Sequence, residues 1–232
     1  MVRLIGKICL LILGINAFLS SSEEDHCKQI FTSYWINKHW GNGASVSGSG
    51  SNLKQTDAIR KQIPQLLKQY KCKSFMDAPC GDFFWMQHVD LPVQDYIGID
   101  VVEPLIQINQ DKFGNHRLSF AALDITQDPL PLVDCILCRD CLTHFSKEDI
   151  FKTIANFKRS GSKYLLTTSF VDRKSNQAIE TGEWQPLNLL EEPFFFPKPI
   201  AILNEQCSED QSRWRDKSLL LWKLKDLELP ED

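Results

Sequence analysis

This chain of 232 residues has no surplus of positive charge, no internal repeat and no turn of the Gly-x-Gly-x-x-Gly kind. With 26 Lys and Arg against 30 Asp and Glu, its net charge is -4 and its pI about 5.8. A nucleic-acid backbone needs a broad basic face, so nucleic acid is not expected as a partner. The missing repeat excludes solenoid and propeller arrays. The missing glycine-rich phosphate turn argues against a dinucleotide-dependent oxidoreductase. Low complexity is confined to the Gly/Ser stretch from Gly41 to Ser51. What is present is ordinary globular composition, 43% hydrophobic and 24% charged, enough for one domain with a sizeable core.

Residues 1–22 join Arg3 and Lys7 to the apolar run Ile8 to Leu19 and a Ser20-Ser21-Ser22 exit. A basic start, a short apolar middle and a small-residue exit make a secretory signal or membrane-targeting segment, too short for a comfortable membrane span. We expect a chain sent into the secretory pathway, secreted or anchored outside the cytoplasm, that meets a membrane only through this segment. Its removal leaves seven of the eight cysteines, an odd number, so at least one is free or intermolecular in an oxidising compartment. Spacing names no disulfide pair. Cys135, Cys138 and Cys141 invite a metal reading, but a step of three puts Cys135 and Cys138 on opposite faces of a strand, and no metal is expected.

Residues 23–55 form an N-terminal extension carrying Phe31, Tyr34, Trp35 and Trp40 and ending in the Gly/Ser stretch, a mobile loop that is either a linker or a lid over a site. Residues 56–232 form the main domain. Ile59, Ile63, Leu66, Leu67 and Tyr70 recur at helical spacing after Thr56 and Asp57, with Pro64 expected to kink the helix. Short apolar runs predict strands at 74–76, 96–99, 118–122, 135–138, 164–169, 200–203 and 218–224. Helical patterns fall at 104–112 and 146–159, the second opening on a capping pair, Ser146 and Asp149, and stopping at Gly161. Phe83 to Met86 reads as the packed first turn of another helix. The crowded segment from Pro193 to Pro199 reads as a late loop beside a pocket. Alternation of apolar strands with helices predicts a mostly parallel sheet covered on both faces.

Ligands of such sheets bind at the carboxyl ends of the strands, where the strand order reverses. The first strand runs into Asp77-Ala78-Pro79-Cys80-Gly81-Asp82, whose glycine allows close approach and whose clustered acids suit a cationic ligand better than a phosphate. Nineteen residues after Gly81 comes Asp100, an acid placed to accept both hydroxyls of a ribose. The third strand leads to Asp124, placed to take the exocyclic amine of an adenine.

On these motifs the chain resembles the class I S-adenosylmethionine-dependent methyltransferases. The resemblance spans residues 34–224 in element order, and 75–145 carry its specific motifs. It implies a three-layer, Rossmann-like methyltransferase fold with a seven-stranded sheet, and S-adenosylmethionine as cofactor. It places Asp77 and Gly81 beside the methionine moiety, Asp100 at the ribose hydroxyls and Asp124, with Ile125 nearby, at the adenine, and counts Ala78, Asp82 and Val101 among the cofactor-binding residues. The stretch Asp134 to Asp140 matches the family's fourth-strand motif, which sets Arg139 beside the cofactor and Asp140 and His144 on the acceptor side. Pro79 stands where the family has glycine, so the loop takes a stiffer path.

Methyl transfer from a sulfonium is an in-line displacement in which an oxygen or nitrogen acceptor must lose a proton. His144 is the natural base, with Asp140 either orienting it or receiving the proton itself; alternatively, His144 caps the helix that starts near Ser146. The acceptor is expected to be a small molecule or glycan. The alternative function is that of a secreted binding protein built on a degenerate methyltransferase fold.

Overall fold

The computed structural model describes residues 26–41 and 43–230, so the expected targeting segment lies outside the described residues. Among the described residues four α-helices are longer than one turn: α1 (His26–Ile36), α2 (Asp57–Gln69), α3 (Glu103–Phe113) and α4 (Lys147–Arg159). Seven strands follow the predicted apolar runs: β1 (Ser74–Asp77), β2 (Asp95–Asp100), β3 (Leu118–Ala122), β4 (Cys135–Cys138), β5 (Tyr164–Phe170), β6 (Ala201–Asn204) and β7 (Lys217–Lys223). They make one sheet in the order β3-β2-β1-β4-β5-β7-β6. Every pairing from β3 through to β5 is parallel, while β7 runs antiparallel to both β5 and β6. The order reverses between β1 and β4, and the space above their carboxyl ends is the crevice such a sheet offers a ligand.

The alternation of side chains along each strand builds two cores. Phe75, Leu137, Leu166 and Leu219 face α2 and α3, packing with Ile59, Ile63, Leu67 and Ile106. Met76, Ile136, Leu165 and Leu220 face α4, packing with Ile150, Ile154 and Phe157. Cys27 and Phe31 of α1 and the late segment carrying Leu187, Leu189, Phe194 and Phe196 complete this second core. Cys135 belongs to the first core and Cys138 to the second, as a three-residue step along a strand requires. All seven described cysteines are buried free thiols.

Local signals account for the helix bounds. Ser146 caps α4 by accepting a hydrogen bond from the Asp149 N–H at 3.2 Å, and Gly161 takes a φ of +75° just beyond the helix. Helix α2 runs on through Pro64. The helix expected after Phe83 does not form. Phe83 instead takes a φ of +56° and is buried against Tyr96, Phe113 and Phe120, and only a single 3₁₀ turn, Met86–His88, precedes β2. Aromatic burial drove that segment inward as a loop. Among the described residues no helix is long and apolar enough to cross a membrane.

Candidate active site

A cavity of about 910 Å³ opens above the carboxyl ends of the parallel strands. Asp77, Gly81, Asp82, Asp100, Val101, Asp124, Ile125, Arg139, Asp140 and His144 all line it, so nearly every residue singled out from the sequence meets there. Ala78 does not: it is fully buried in the core beneath.

The β1 and β2 ends supply carboxylates that no cation touches among the described residues, although the Arg139 charge reaches Asp77 through space. Asp77 is 3% exposed, accepts a hydrogen bond from the Tyr96 hydroxyl at 3.0 Å, and is pushed up to about 7 by burial. Asp100 accepts hydrogen bonds from the Gly81 N–H at 3.1 Å and the Val102 N–H at 3.0 Å, which tie the two strand ends together. Burial raises its pKa despite these bonds. No ion pair reaches either residue among the described residues. Asp124 serves its own turn, accepting from the Thr126 N–H and hydroxyl and from the Gln127 amide, while one edge of it faces the cavity.

The Gly/Ser stretch is held across this half of the cavity as a strap. Asp82 accepts from the Ser45 hydroxyl and the Val46 N–H, both at 2.9 Å. Gly81 takes a φ of +53°, and a Cβ there would collide with the Ser47 hydroxyl, so the strap rests directly on the turn. Farther along, the Ser49 hydroxyl donates to Glu209 at 2.5 Å, and the Gly50 carbonyl accepts from Arg139 at 2.9 Å.

The ends of β4 and β7 carry an interlocked set of charges. The Arg139 guanidinium grips Glu205 through two hydrogen bonds of 3.2 and 2.6 Å and touches Asp140 at 3.2 Å. Lys217 donates to Asp140 at 2.6 Å and lies 3.6 Å from Glu205. Asp140, at a φ of +53° on the end of β4, is held down at about 2, chiefly by Arg139 and Lys217 acting against its burial. Those two cations make it a weaker base than an ordinary carboxylate. The His144 Nδ1 lies 2.9 Å from the Glu183 carbonyl, which can only accept, so Glu183 orients the ring and Nδ1 carries the proton. Burial lowers the His144 pKa, leaving a neutral ring whose Nε2 bears a free lone pair. Capping of α4 belongs to Ser146, so His144 has no capping duty.

Sequence reasoning missed Glu205, Lys217, Trp184 and Trp214, which also line or floor the site. The signal was a charge at each end of the β6–β7 connection, Glu205 and Lys217, where buried sheet ends rarely carry one.

No protein-family model and no curated protein sequence matches this chain. Solved structures do. Human N-acetylserotonin methyltransferase in complex with SAM is similar at a TM-score of 0.53 and 12% identity, over 71% of this chain and 51% of that one, so the chain spans about half its length. The N-methyltransferase NodS from Bradyrhizobium japonicum WM9 is similar at 0.52 and 17%, over 73% of this chain and 96% of that one. The cyclase SpnF is similar at 0.52 and 14%, over 72% and 81%. Such identities speak for architecture alone. With a seven-stranded, mostly parallel sheet that matches these structures, the chain has the Rossmann-like fold of the class I methyltransferases.

Proposed function

We propose that this protein is a methyltransferase that binds S-adenosylmethionine and passes its methyl group to an oxygen or nitrogen of a small-molecule or glycan acceptor. The observation that carries the reading is Asp77, a buried carboxyl with no cation in contact at the reversal point of the sheet. A site left short of positive charge is a site for a cationic ligand. Asp77 and the Gly81 turn would hold the methionine moiety, Asp100 and Val101 the ribose, and Asp124 and Ile125 the adenine.

The sulfonium supplies a methyl group that is already activated. The protein's own part is to align the acceptor, keep water out and take a proton. Neutral His144, with Nδ1 fixed by Glu183, is placed to take that proton on Nε2. The strap from Ser45 to Ser51 covers the cofactor half.

Calorimetric titration with S-adenosylhomocysteine, which requires no knowledge of the acceptor, tests the reading. Saturable binding in the micromolar range is expected, weakened at least about tenfold by Asp100→Ala. A folded protein that fails to bind would favour a binding module on a degenerate fold, a reading SpnF encourages because a cyclase shares this architecture. A dinucleotide enzyme is disfavoured on separate grounds: among the described residues no α-helix stands between β1 and β2 to receive a pyrophosphate at its N-terminus. In the same reading residues 1–22 carry the chain into the secretory pathway. N-terminal sequencing of the mature protein checks this, and a chain starting at Met1 in a cytosolic fraction would overturn it.

A further inference from the structure

The seven buried thiols among the described residues do not stand in equivalent surroundings. Cys27 is hydrogen-bonded to Thr126, the Cys80 sulfur accepts from the Asn109 amide at 3.9 Å, and the Cys207 thiol donates to Glu209 at 3.8 Å. Each of these three is served by a group other than sulfur. The other four meet in two pairs, Cys138 with Cys141 and Cys72 with Cys135, and the thiols of each pair are in hydrogen-bond contact. Cys138 and Cys141 flank the turn at Asp140, which takes a φ of +53° and is held by Arg139 and Lys217. A bond there closes a ring of only four residues, which restrains the unfolded chain little, and it would have to remake that turn.

Cys72 follows α2 and Cys135 opens β4, and both side chains lie in the core between the sheet and α2. The two stretches of chain are clasped one residue away from the sulfurs. The Asp134 carboxylate accepts from the Lys73 N–H at 2.7 Å and the Ser74 N–H at 3.2 Å, and the Asp134 N–H donates back to the Ser74 hydroxyl at 2.9 Å. Phe75 then pairs with Cys135 in the ladder between β1 and β4. Other partners are out of place. Cys138 belongs to the opposite core, and Cys80 lies beyond the carboxyl end of β1 whereas Cys72 precedes its start. Cys72 is flanked by the exposed Lys71 and Lys73, so a local opening brings it to solvent.

We propose that Cys72 and Cys135 join as a disulfide when the protein is oxidised, closing one covalent loop around β1, β2, β3 and every carboxylate assigned to the cofactor. Asp77, Asp82, Asp100 and Asp124 all fall between the two cysteines. The oxidant is a small disulfide such as glutathione disulfide. The contact with Cys135 holds the Cys72 thiol below its ordinary range, so Cys72 attacks first. Its thiolate breaks the oxidant's S–S bond, forming a mixed disulfide and releasing one glutathione. Cys135 then gives up its proton and displaces the second glutathione as the bridging S–S bond forms. Two protons and two electrons pass from the protein thiols to the oxidant, which leaves as two thiols. A bond of this kind persists in the oxidising compartments to which residues 1–22 are proposed to send the chain. Closing so long a loop takes freedom chiefly from the unfolded chain, so the cofactor half gains stability while the cavity above keeps its shape.

The full chain, purified under reductant and then held in a glutathione buffer rich in the disulfide form, tests this whatever the cavity binds and wherever the chain travels in the cell. Free thiols are blocked with N-ethylmaleimide in urea, and the tryptic peptides are mapped without reduction. A link between Cys72 and Cys135 is expected in the native chain. It should persist in Cys138→Ser, which removes the other cysteine of the tryptic peptide that holds Cys135. Oxidation should raise the thermal midpoint by roughly 10 °C, and Cys72→Ser should lose that gain while melting where the reduced native chain does. The proposal is overturned if Cys72 or Cys135 ends alkylated, capped by glutathione or linked to another cysteine, or if Cys72→Ser keeps the gain.

Discussion

At the ends of β1 and β2, Asp77 and Asp100 are buried without a cation in contact and burial pushes both carboxyls up; at the end of β4, Asp140 lies between Arg139 and Lys217 and is pulled down to about 2. One chain thus sets two carboxylate neighbourhoods of opposite electrostatic character in a single cavity. The first has only neutral donors in contact among the described residues, and a buried carboxylate so held is costly to ionise. The second is tied together by ion pairs within the protein. A buried carboxylate with no charge partner calls for a cationic ligand, whereas interlocked ion pairs fix the geometry of a wall.

The comparison breaks most visibly at Glu205, whose side chain is 1% exposed and which serves both Arg139 and Lys217. Glu205→Gln leaves two buried cations with one carboxylate between them and should cost about 3–5 kcal/mol, read as a lowered urea midpoint. Asp77→Asn comes next and should act in the opposite sense. Because the folded carboxyl sits near 7 and its ordinary value is 3.8, the fold is favoured below about pH 4 and loses that advantage as pH rises through 7. Linkage puts this on the order of 4 kcal/mol, and the Asn variant should flatten the slope of unfolding free energy between pH 4 and 7. The native protein should also bind S-adenosylhomocysteine more tightly at pH 8 than at pH 6, since its ammonium needs Asp77 ionised, and the variant should not. The smallest effect belongs to the strap: Asp82→Ala removes the acceptor for Ser45 and Val46, costing about 1 kcal/mol and speeding proteolysis within residues 43–51.

Much of the cofactor half was legible in the sequence, because each element carries its own signal. The strands are short apolar runs, the turn after β1 has its glycine and acids in one stretch, and Asp100 follows Gly81 at a countable distance. The acceptor half was legible only in part. Asp140 and His144 follow β4 directly, but their partners are far along the chain: Glu205 is 66 residues from Arg139, Lys217 is 77 from Asp140, and Glu183 is 39 from His144. No local pattern announces a charge pair closed by the fold, and none announces that a backbone carbonyl will choose the tautomer of a histidine. The segment from Phe83 to Met86 misled for a related reason. Its aromatics suit a packed helix, but the pocket formed by Tyr96, Phe113 and Phe120 holds Phe83 in a left-handed turn instead.

The reversed direction of β7 carries a wider consequence. Because β7 is antiparallel, its first residue, Lys217, pairs with Phe170 at the end of β5 and so arrives at the same rim as the ends of β1, β2 and β4. The chain leaves that rim at Asn204 and returns to it at Lys217, and Cys207, Glu209, Asp210 and Trp214 of the connection between them line the cavity. Glu205, Glu209 and Trp214 all ride on it. The connection can be rewritten only between its anchors: Glu205 on Arg139, Ser208 on Gln55 and Asp216 on Arg173 tie it to the body, while changes from Glu209 to Trp214 alter the cavity wall and leave the sheet alone.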